Sequence, residues 1–227
     1  MGPVSLDSLR ALDGASIANA IETFDVRLRN EGFADASIRC LLRELPPAVG
    51  YAVTARIRCS SPPPVGHHYH DRTDWWNYIV SVPAPRFVVV QDLDERPGLG
   101  AFVGAVHANI LRALGCEAYA TNGSVRDVTT VKDSVRIQMF ATGVAVSHAF
   151  AHIVDFGGPV EIGGLKVESG DLLFGDADGV QAVPMSLADA LPSVVADNKM
   201  KEQAVIQFCR SKDFSIDGLR TLVRSLK

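Results

Sequence analysis

The chain has 227 residues, with 26 acidic against 22 basic side chains and a formal net charge of −4. This acidic balance disfavours direct nucleic-acid binding, and 47% hydrophobic with 21% charged residues excludes a disordered or collagen-like chain. The four cysteines form no C-x-x-C pair, which favours reduced thiols over a disulfide framework or a thiolate zinc site. No basic segment precedes an apolar stretch at the N-terminus, and no uncharged run is apolar enough to span a membrane, so we expect a cytoplasmic globular protein without a membrane partner.

The N-terminal third of the chain predicts a helix, a strand and a loop. Residues 16–24 have helical apolar spacing with Ser16 as the N-cap. Residues 50–58 alternate apolar and polar side chains, as a half-buried strand does. Residues 60–66 contain three successive prolines, which supply no amide donors and therefore predict an extended loop.

The middle of the chain predicts a strand, loop, helix and strand in succession. The two strands are 86–92 and 116–121, and a glycine-rich loop at 98–104 leads into a helix at 105–114. A right-handed crossover makes the two strands parallel. The loop then lies at the carboxyl end of the first strand, beside the free amides of a helix N-terminus, where α/β sheets bind ligands.

The glycines of this loop, Gly98-x-Gly100-x-x-x-Gly104, come close to a dinucleotide-binding fingerprint. The spacing is one residue too long, and the second strand closes in Asn122-Gly123 with no acidic residue, which disfavours nicotinamide binding. The glycines predict instead a close approach of backbone amides to a smaller anion, such as a carboxylate or a phosphate.

Arg126 and Asp127 follow the second strand and should lie at the same sheet edge as the helix N-terminus. The guanidinium of Arg126 offers a planar fork for a carboxylate or an oxyanion, and Asp127 offers the hard oxygen ligands that Mg²⁺ prefers. The pair could act together on a chelating keto acid. An exposed ion pair with no chemical role is the alternative interpretation.

A histidine cluster and two tryptophans follow the proline-rich loop. His67, His68 and His70 suggest a transition-metal site, although imidazoles clustered beside such a loop are more often surface residues. Trp75 and Trp76 are expected to anchor the core or an interface rather than to stack on a ligand.

Residues 159–184 predict short antiparallel strands separated by Gly-Gly, Ser-Gly and Asp-Gly turns. The acidic residues of this segment are explained as Asx turns: Asp171, Asp176 and Asp178. Upstream, His148 and His152 are four residues apart and could share a helix face, but a core or interface position bonded to carbonyl groups is the more typical role.

A series of motifs runs through most of the chain: Gly104, Gly115, Asn122-Gly123-x-x-Arg126-Asp127, Pro159-Val-x-Ile-Gly-Gly-Leu-x-Val, Gly170-Asp171 and Asp176-x-Asp178-Gly179-Val180. This series resembles the RraA-like family, which includes regulators of ribonuclease activity and divalent-metal pyruvate aldolases acting on 4-hydroxy-4-methyl-2-oxoglutarate. The resemblance covers residues 16–202. It implies one α/β domain over 1–227 of the swivelling β/β/α type, with a core at 16–184 and a C-terminal helical extension at 185–227 that lies at subunit interfaces of a homotrimer or homohexamer.

The resemblance to the aldolases also implies roles for individual residues. The matching arginine, Arg126, contacts the keto acid, and the matching aspartate, Asp127, ligates Mg²⁺ or Mn²⁺. Glu202 is matched to a carboxylate that a neighbouring subunit donates. An amide-rich loop binds a substrate carboxylate, and its matching residues are Gly104, Ala105, Val106 and His107.

Two departures from the family pattern bear on the activity. Family members usually carry an acid directly after the loop glycine and another three residues beyond the aspartate, where this chain has Ala105 and Thr130. Retro-aldol cleavage needs a base for the substrate hydroxyl, whereas oxaloacetate decarboxylation reaches the same pyruvate enolate without one. We therefore expect decarboxylation to exceed aldol cleavage, unless His107 serves as the base.

The alternative to a Mg²⁺-dependent lyase on a small 2-keto acid is a non-catalytic regulator. Such a protein would bind a partner such as a ribonuclease through its oligomer surface, as the ribonuclease-regulating members of the resembled family do. The acidic charge balance does not discriminate between these two functions.

Overall fold

The structure is a computed structural model that describes residues 6–64 and 73–226. Its helices are α1 (Leu6–Arg10), α2 (Gly14–Glu22), α3 (Thr73–Ser81), α4 (Ala105–Ala113), α5 (Val128–Thr130), a π-helical turn at Val131–Val135, α6 (Leu191–Cys209) and α7 (Ile216–Ser225). Its strands are β1 (Arg39–Cys40), β2 (Ala48–Arg58), β3 (Arg86–Asp92), β4 (Ala101–Val103), β5 (Cys116–Thr121), β6 (Ser124–Val125), β7 (Gln138–Ala141), β8 (Gly143–Val144), β9 (His152–Phe156), β10 (Val160–Ile162), β11 (Leu165–Val167), β12 (Leu172–Asp176) and β13 (Gly179–Ala182).

The main sheet is mixed, and its strands lie in the order β1-β7-β5-β3-β2-β12-β13, with β9 also paired to β2. Strands β2, β3, β5 and β7 are parallel neighbours. The strands added at either side, β1, β9 and β12, are antiparallel to their partners. The predicted parallel unit of β3, α4 and β5 is confirmed, and the ends of both strands fall where the sequence places them.

A second, small parallel sheet extends the carboxyl ends of the first. Strands β4, β6 and β8 follow β3, β5 and β7 respectively, and they pair in the same lateral order. The glycine-rich segment was expected to be loop alone, and the three-residue β4 within it is too short to leave a periodic signal. This small sheet brings the chain after β4 beside the chain after β6.

The antiparallel segment predicted at 159–184 is confirmed as two hairpins, β10–β11 and β12–β13. The first hairpin turns at Gly163 and Gly164, which both have positive φ (52° and 76°). Two successive positive φ angles match the twist of a two-residue hairpin and are the reason for the Gly-Gly pair. The general expectation of a mixed α/β fold with C-terminal helices is also confirmed.

Strand β2 is buried almost throughout, which corrects the expectation of a half-buried strand. One face of the sheet is covered by α3 and α4, and the opposite face is covered by the β10–β11 hairpin. Helix α3 was not predicted, and its Trp75 is 1% exposed. Trp75 packs against Tyr78 and Phe156, so the expectation of a core anchor is confirmed.

The N-terminal helix α2 is capped by Asp13 rather than by the predicted Ser16. The Asp13 carboxylate accepts the Ser16 amide at 2.8 Å and the Ser16 hydroxyl at 2.8 Å. It also accepts a hydrogen bond from Lys199 of α6 at 2.9 Å. Burial alone would raise the pKa of Asp13, but the hydrogen bonds from Lys199 and Ser16 outweigh it and lower the pKa to about 2.

The C-terminal helices pack at one side of the sheet, with α6 against α2 and α7 against α6. The rings of Phe208 and Phe214 meet at the α6–α7 junction with centroids 6.0 Å apart. Within the described ranges, none of the helices is long and apolar enough to cross a membrane. The cysteines are free thiols, as the sequence predicts.

Candidate active site

Arg126 and Asp127 lie beside the N-terminus of α4, where the sequence places them. The small parallel sheet sets this position, because the Arg126 amide donates to the Val103 carbonyl at 3.0 Å. Just beyond this pair, the Ala105 amide donates to Asp127 Oδ2 at 2.9 Å. The first amide of the helix is therefore already bonded to a site carboxylate.

The Asp127 carboxylate has one engaged oxygen and one available oxygen. Oδ2 accepts the Ala105 amide and lies 3.7 Å from Arg126 Nε, whereas no hydrogen bond from a described residue reaches Oδ1. The Arg126 and Asp127 side chains are 36% and 43% exposed. Both the ion pair and the binding interpretation of this dipeptide fit these contacts, and the carboxylate retains an accessible oxygen for a cation.

The backbone of Asp127 is left-handed, with φ 57° and ψ 31°. This conformation costs an ordinary L-residue about 1–2 kcal/mol, and aspartate is among the few non-glycine residues that adopt it readily. Strained backbone of this kind is concentrated at functional sites. Here it directs the side chain back towards Ala105 and the start of α4.

Gly104, the N-cap of α4, is required by the close approach of these side chains. A Cβ atom at this position would lie 2.6 Å from Asp127 Oδ2 and 2.8 Å from Arg126 Nε. Real Cβ atoms essentially never approach other atoms so closely. The sequence predicts that this glycine allows the close approach of an anion, and in the structure it allows the close approach of the Asp127 carboxylate.

A cavity of about 560 Å³ opens next to Arg126 and the first turn of α4. Gly104, Val106 and His107 line one side of it, and the segment 148–151 lines the other. The second side is held in place by a hydrogen bond from the Phe150 amide to the Cys59 carbonyl at 3.1 Å. Of the predicted anion-binding residues, the cavity therefore contacts all but Ala105, but the binding of a carboxylate there stays a prediction.

His107 is buried beneath the first turn of α4. Its Nδ1 donates to the Phe102 carbonyl at 3.2 Å, and its ring packs edge-on against the Phe102 ring. Burial lowers the pKa of His107 to about 4. The imidazole is therefore neutral at pH 7 and a weak base, which disfavours it as a substitute for the missing acids.

A buried group of potential metal ligands, Cys59, Asp92 and Asp94, lies at the carboxyl end of β3. Their ligand atoms lie within 4.8 Å of one another. Sequence reasoning missed this group, although an Asp-x-Asp pair at the end of a buried strand is a usable signal.

The contacts of these three residues indicate a role in fixing loops. Asp92 accepts the amides of Gly98 and Asp94, and Asp94 accepts the amide of Cys59 and the hydroxyl of Ser60. Burial and the two carboxylates raise the pKa of the Cys59 thiol to about 12, and a protonated thiol is a poor ligand. A cation here would have to displace existing hydrogen bonds, so Asp127 fits a divalent metal better.

Thr130, which stands where family members carry an acid, and Glu202, the third predicted catalytic residue, are both exposed. Thr130 is exposed at the end of α5. Glu202 is exposed on α6, which packs on α2, so its predicted role depends on a neighbouring subunit and stays a prediction. The histidine cluster His67, His68 and His70 lies outside the described residues.

The other histidines and aspartates make hydrogen bonds to the backbone, although His148 is exposed rather than in the core. His148 and His152 are in a loop and at the start of β9 rather than on one helix face, and their Nδ1 atoms donate to the carbonyls of Ala149 and Phe150. Asp176 accepts the Asp178 amide, which is the predicted Asx turn, and also the Gly14 amide.

The sequence matches a known family over most of this fold. Residues 15–181 match the RraA-like family, described as Aldolase/RraA, and the chain therefore belongs to it. Over 110 residues it is 26% identical to a protein of Halalkalibacterium halodurans named "Putative 4-hydroxy-4-methyl-2-oxoglutarate aldolase". That match covers 46% of this chain and 52% of the relative, so the chain spans about half the length of the curated relative it matches.

Solved structures share the fold at lower sequence identity. An uncharacterized protein from Pseudomonas syringae pv. tomato has a TM-score of 0.72 and 21% identity, covering 95% of this chain and 92% of its own. Streptomyces coelicolor RraAS2, described as an unusual member of the RNase ES inhibitor RraA protein family, has a TM-score of 0.67 and 20% identity, covering 87% of this chain and 92% of its own. These likenesses establish the fold.

Proposed function

We propose that the protein is a divalent-metal-dependent carbon–carbon lyase acting on a 2-keto acid through a pyruvate enolate. One observation carries this proposal. Asp127, whose Oδ1 accepts no hydrogen bond from a described residue, lies beside Arg126 at the N-terminus of α4, and Arg126 lines the cavity. The family name, which joins aldolases with RraA proteins, and the name of the Halalkalibacterium relative support the same chemistry.

We assign each residue a role that follows from its chemistry. Asp127 would hold Mg²⁺ or Mn²⁺, and the metal when bound would supply a Lewis acid that polarises the 2-keto group. Arg126 places a permanent positive charge where the enolate oxygen develops negative charge, and its planar fork suits a carboxylate. The first turn of α4 begins at Ala105, and the positive end of its helix dipole favours an anion there.

Decarboxylation is proposed to exceed aldol cleavage. Cleavage requires a base to take the hydroxyl proton at C4, and removing such a base costs about 10²–10⁴ in rate. Ala105 and Thr130 stand where family members carry acids, and the described lining of the cavity contains no carboxylate. His107, buried and with a pKa of about 4, is a poor replacement.

We also propose that a neighbouring subunit completes the site. Glu202 lies on the exposed part of α6, within the C-terminal helices 185–227 that we assign to subunit contacts in a homotrimer or homohexamer. Sedimentation analysis measures the assembly directly. Glu202→Gln should lower turnover without changing the sedimentation coefficient, whereas unchanged turnover would exclude Glu202 from the site.

The proposal is tested by pyruvate release from oxaloacetate and from 4-hydroxy-4-methyl-2-oxoglutarate, with Mg²⁺ or with EDTA. Asp127→Asn is the preferred variant, because asparagine tolerates left-handed backbone while the carboxylate charge is lost. Metal-dependent turnover that this variant abolishes is expected, with oxaloacetate the faster substrate. Turnover indifferent to both the metal and the variant would refute the site, and a folded protein inactive on both substrates that captures a ribonuclease would favour the regulator instead.

A further inference from the structure

The cavity beside Arg126 is much larger than the pyruvoyl group that the proposed reaction requires. At the roughly 30 Å³ that one water molecule occupies in the liquid, the six heavy atoms of pyruvate need less than about 200 Å³. The cavity measures about 560 Å³, within the range of pockets that hold much larger organic ligands. Most of its volume is therefore available to the part of a substrate beyond C3.

The walls of this volume are apolar. Eight of the twelve described lining residues carry apolar side chains. Two of the large ones are exposed to the cavity and its mouth, Val106 at 76% and Phe150 at 52%. Exposed large apolar side chains that converge on a concave surface are typical of a ligand-binding site rather than of an ordinary surface.

Charge in the described lining is confined to one end. Arg126 is the only lining residue with a permanent charge, and it lies beside Asp127. His107 is neutral because burial lowers its pKa to about 4, and the other imidazole of the lining, His148, has its Nδ1 engaged by the Ala149 carbonyl at 2.7 Å. A substrate carboxylate paired with Arg126 leaves no second guanidinium or ammonium group in the described lining of one chain for a carboxylate at the far end of the molecule.

We propose that the cavity selects 2-keto acids whose substituent beyond C3 is apolar and of about aromatic size, in preference to dicarboxylic keto acids. A second carboxylate placed among the apolar side chains would lose hydration without gaining a guanidinium or ammonium partner. An aromatic ring in the same place would gain contacts with Phe102, Val106 and Phe150 as it leaves water. This selectivity rests on the proposed function, since it assumes that the keto acid group binds at Arg126 and Asp127.

A matched pair of non-cleavable ligands tests the selectivity by binding alone. 2-Oxo-4-phenylbutanoate carries a phenyl ring where 2-oxoglutarate carries its second carboxylate. Isothermal titration calorimetry with the full chain and Mg²⁺ should give a Kd for the phenyl compound at least about 10-fold lower, the effect expected when a hydrophobic pocket discriminates between substituents. Its binding should also show the negative heat-capacity change of apolar burial.

Two substitutions of opposite charge at Val106 test whether the substituent beyond C3 binds in this part of the cavity. Val106 is exposed on a helix, so both charges should be tolerated there. Val106→Lys should shift the ratio of the two Kd values towards 2-oxoglutarate by about 3-fold or more, and Val106→Glu should shift it the other way. Val26→Lys is the matched control, because Val26 is also exposed but lies outside the cavity lining and should leave the ratio unchanged.

The outcomes separate this inference from the function on which it rests. Equal or tighter binding of 2-oxoglutarate by the wild type, or a ratio unaffected by both Val106 variants, would overturn the selectivity. If oxaloacetate turnover still depends on Asp127 in that case, the proposed lyase function holds and only the selectivity is wrong. Failure to bind either keto acid together with absence of turnover would overturn both.

Discussion

Adding one methyl group at Gly104 should disable the site while leaving the fold intact. The new Cβ of Gly104→Ala would begin 2.6 Å from Asp127 Oδ2, and an ordinary contact starts at 3.4 Å. The carboxylate must therefore move by roughly 0.8 Å, and Arg126 Nε, at 2.8 Å, must move as well. Misplacement by about 1 Å costs about 10²-fold in rate, so we expect kcat/KM for oxaloacetate to fall by about that factor.

Stability should change much less, because the atoms in the way belong to partly exposed side chains rather than to the core. The assay pairs steady-state decarboxylation with thermal unfolding, and Gly158→Ala is the control, since a Cβ there meets nothing within 4 Å. Activity of Gly104→Ala within about 3-fold of the wild type would refute the idea that this glycine positions Asp127 and Arg126.

Three further predictions concern stability and are checked by urea unfolding. His107 has a pKa of about 4 in the folded protein against 6.5 in the unfolded chain, so the unfolded state takes up a proton first on acidification. The free energy of unfolding of the wild type should therefore fall by up to about 3 kcal/mol between pH 6.5 and pH 4, relative to that of His107→Gln. If the two proteins lose stability in parallel, the burial of this imidazole is contradicted. Asp92→Ala removes the acceptor of two backbone amides and should cost about 2–4 kcal/mol at pH 7, so a loss below about 0.5 kcal/mol would show that the loop is held otherwise. Asp13→Ala removes the cap of α2 and should lower the free energy of unfolding by about 1 kcal/mol. The difference between the two proteins should shrink as pH falls from about 4 towards 2, because the Asp13 carboxylate becomes protonated there. A difference independent of pH would contradict the low pKa of Asp13.

The parallel unit that supports the site could be predicted because its signals are local and long. Strand β3 is a continuous β-branched run, α4 has helical spacing, and β5 follows directly. Parallel pairing then requires that Gly104 and the Arg126-Asp127 pair meet at one edge of the sheet. The family motif identifies the same residues independently.

The features that the sequence did not predict depend on contacts between distant segments. The Ala105 amide reaches a carboxylate 22 positions later in the chain, and no local pattern encodes the left-handed backbone of Asp127. The far wall of the cavity is fixed by a hydrogen bond between Phe150 and Cys59, which are distant in sequence. The cap of α2 was misplaced for a simpler reason, since Asp13 and Ser16 are both good caps and stand three residues apart.

The sequence pattern also underestimates how deeply β2 is buried, because its burial depends on tertiary packing. The alternation in β2 indicates one polar face, but helices cover one side of the sheet and the β10–β11 hairpin covers the other. Strands at the centre of a parallel sheet are buried on both faces whatever their pattern suggests. Thr54, in β2, is consequently a buried hydroxyl among apolar neighbours.

The most direct test of the central claim, that Asp127 holds a divalent cation beside Arg126, is a titration with Mn²⁺ followed by electron paramagnetic resonance. Wild type, Asp127→Asn and Asp94→Asn are compared, because Asp94 belongs to the other group of potential ligands. We predict one Mn²⁺ site per chain. Its affinity should fall at least about 10-fold in Asp127→Asn, a loss comparable to that caused by removing a residue that supports a metal ligand. Its affinity should be unchanged in Asp94→Asn. Binding that survives Asp127→Asn and is lost in Asp94→Asn would contradict the assignment and locate the metal at Cys59, Asp92 and Asp94.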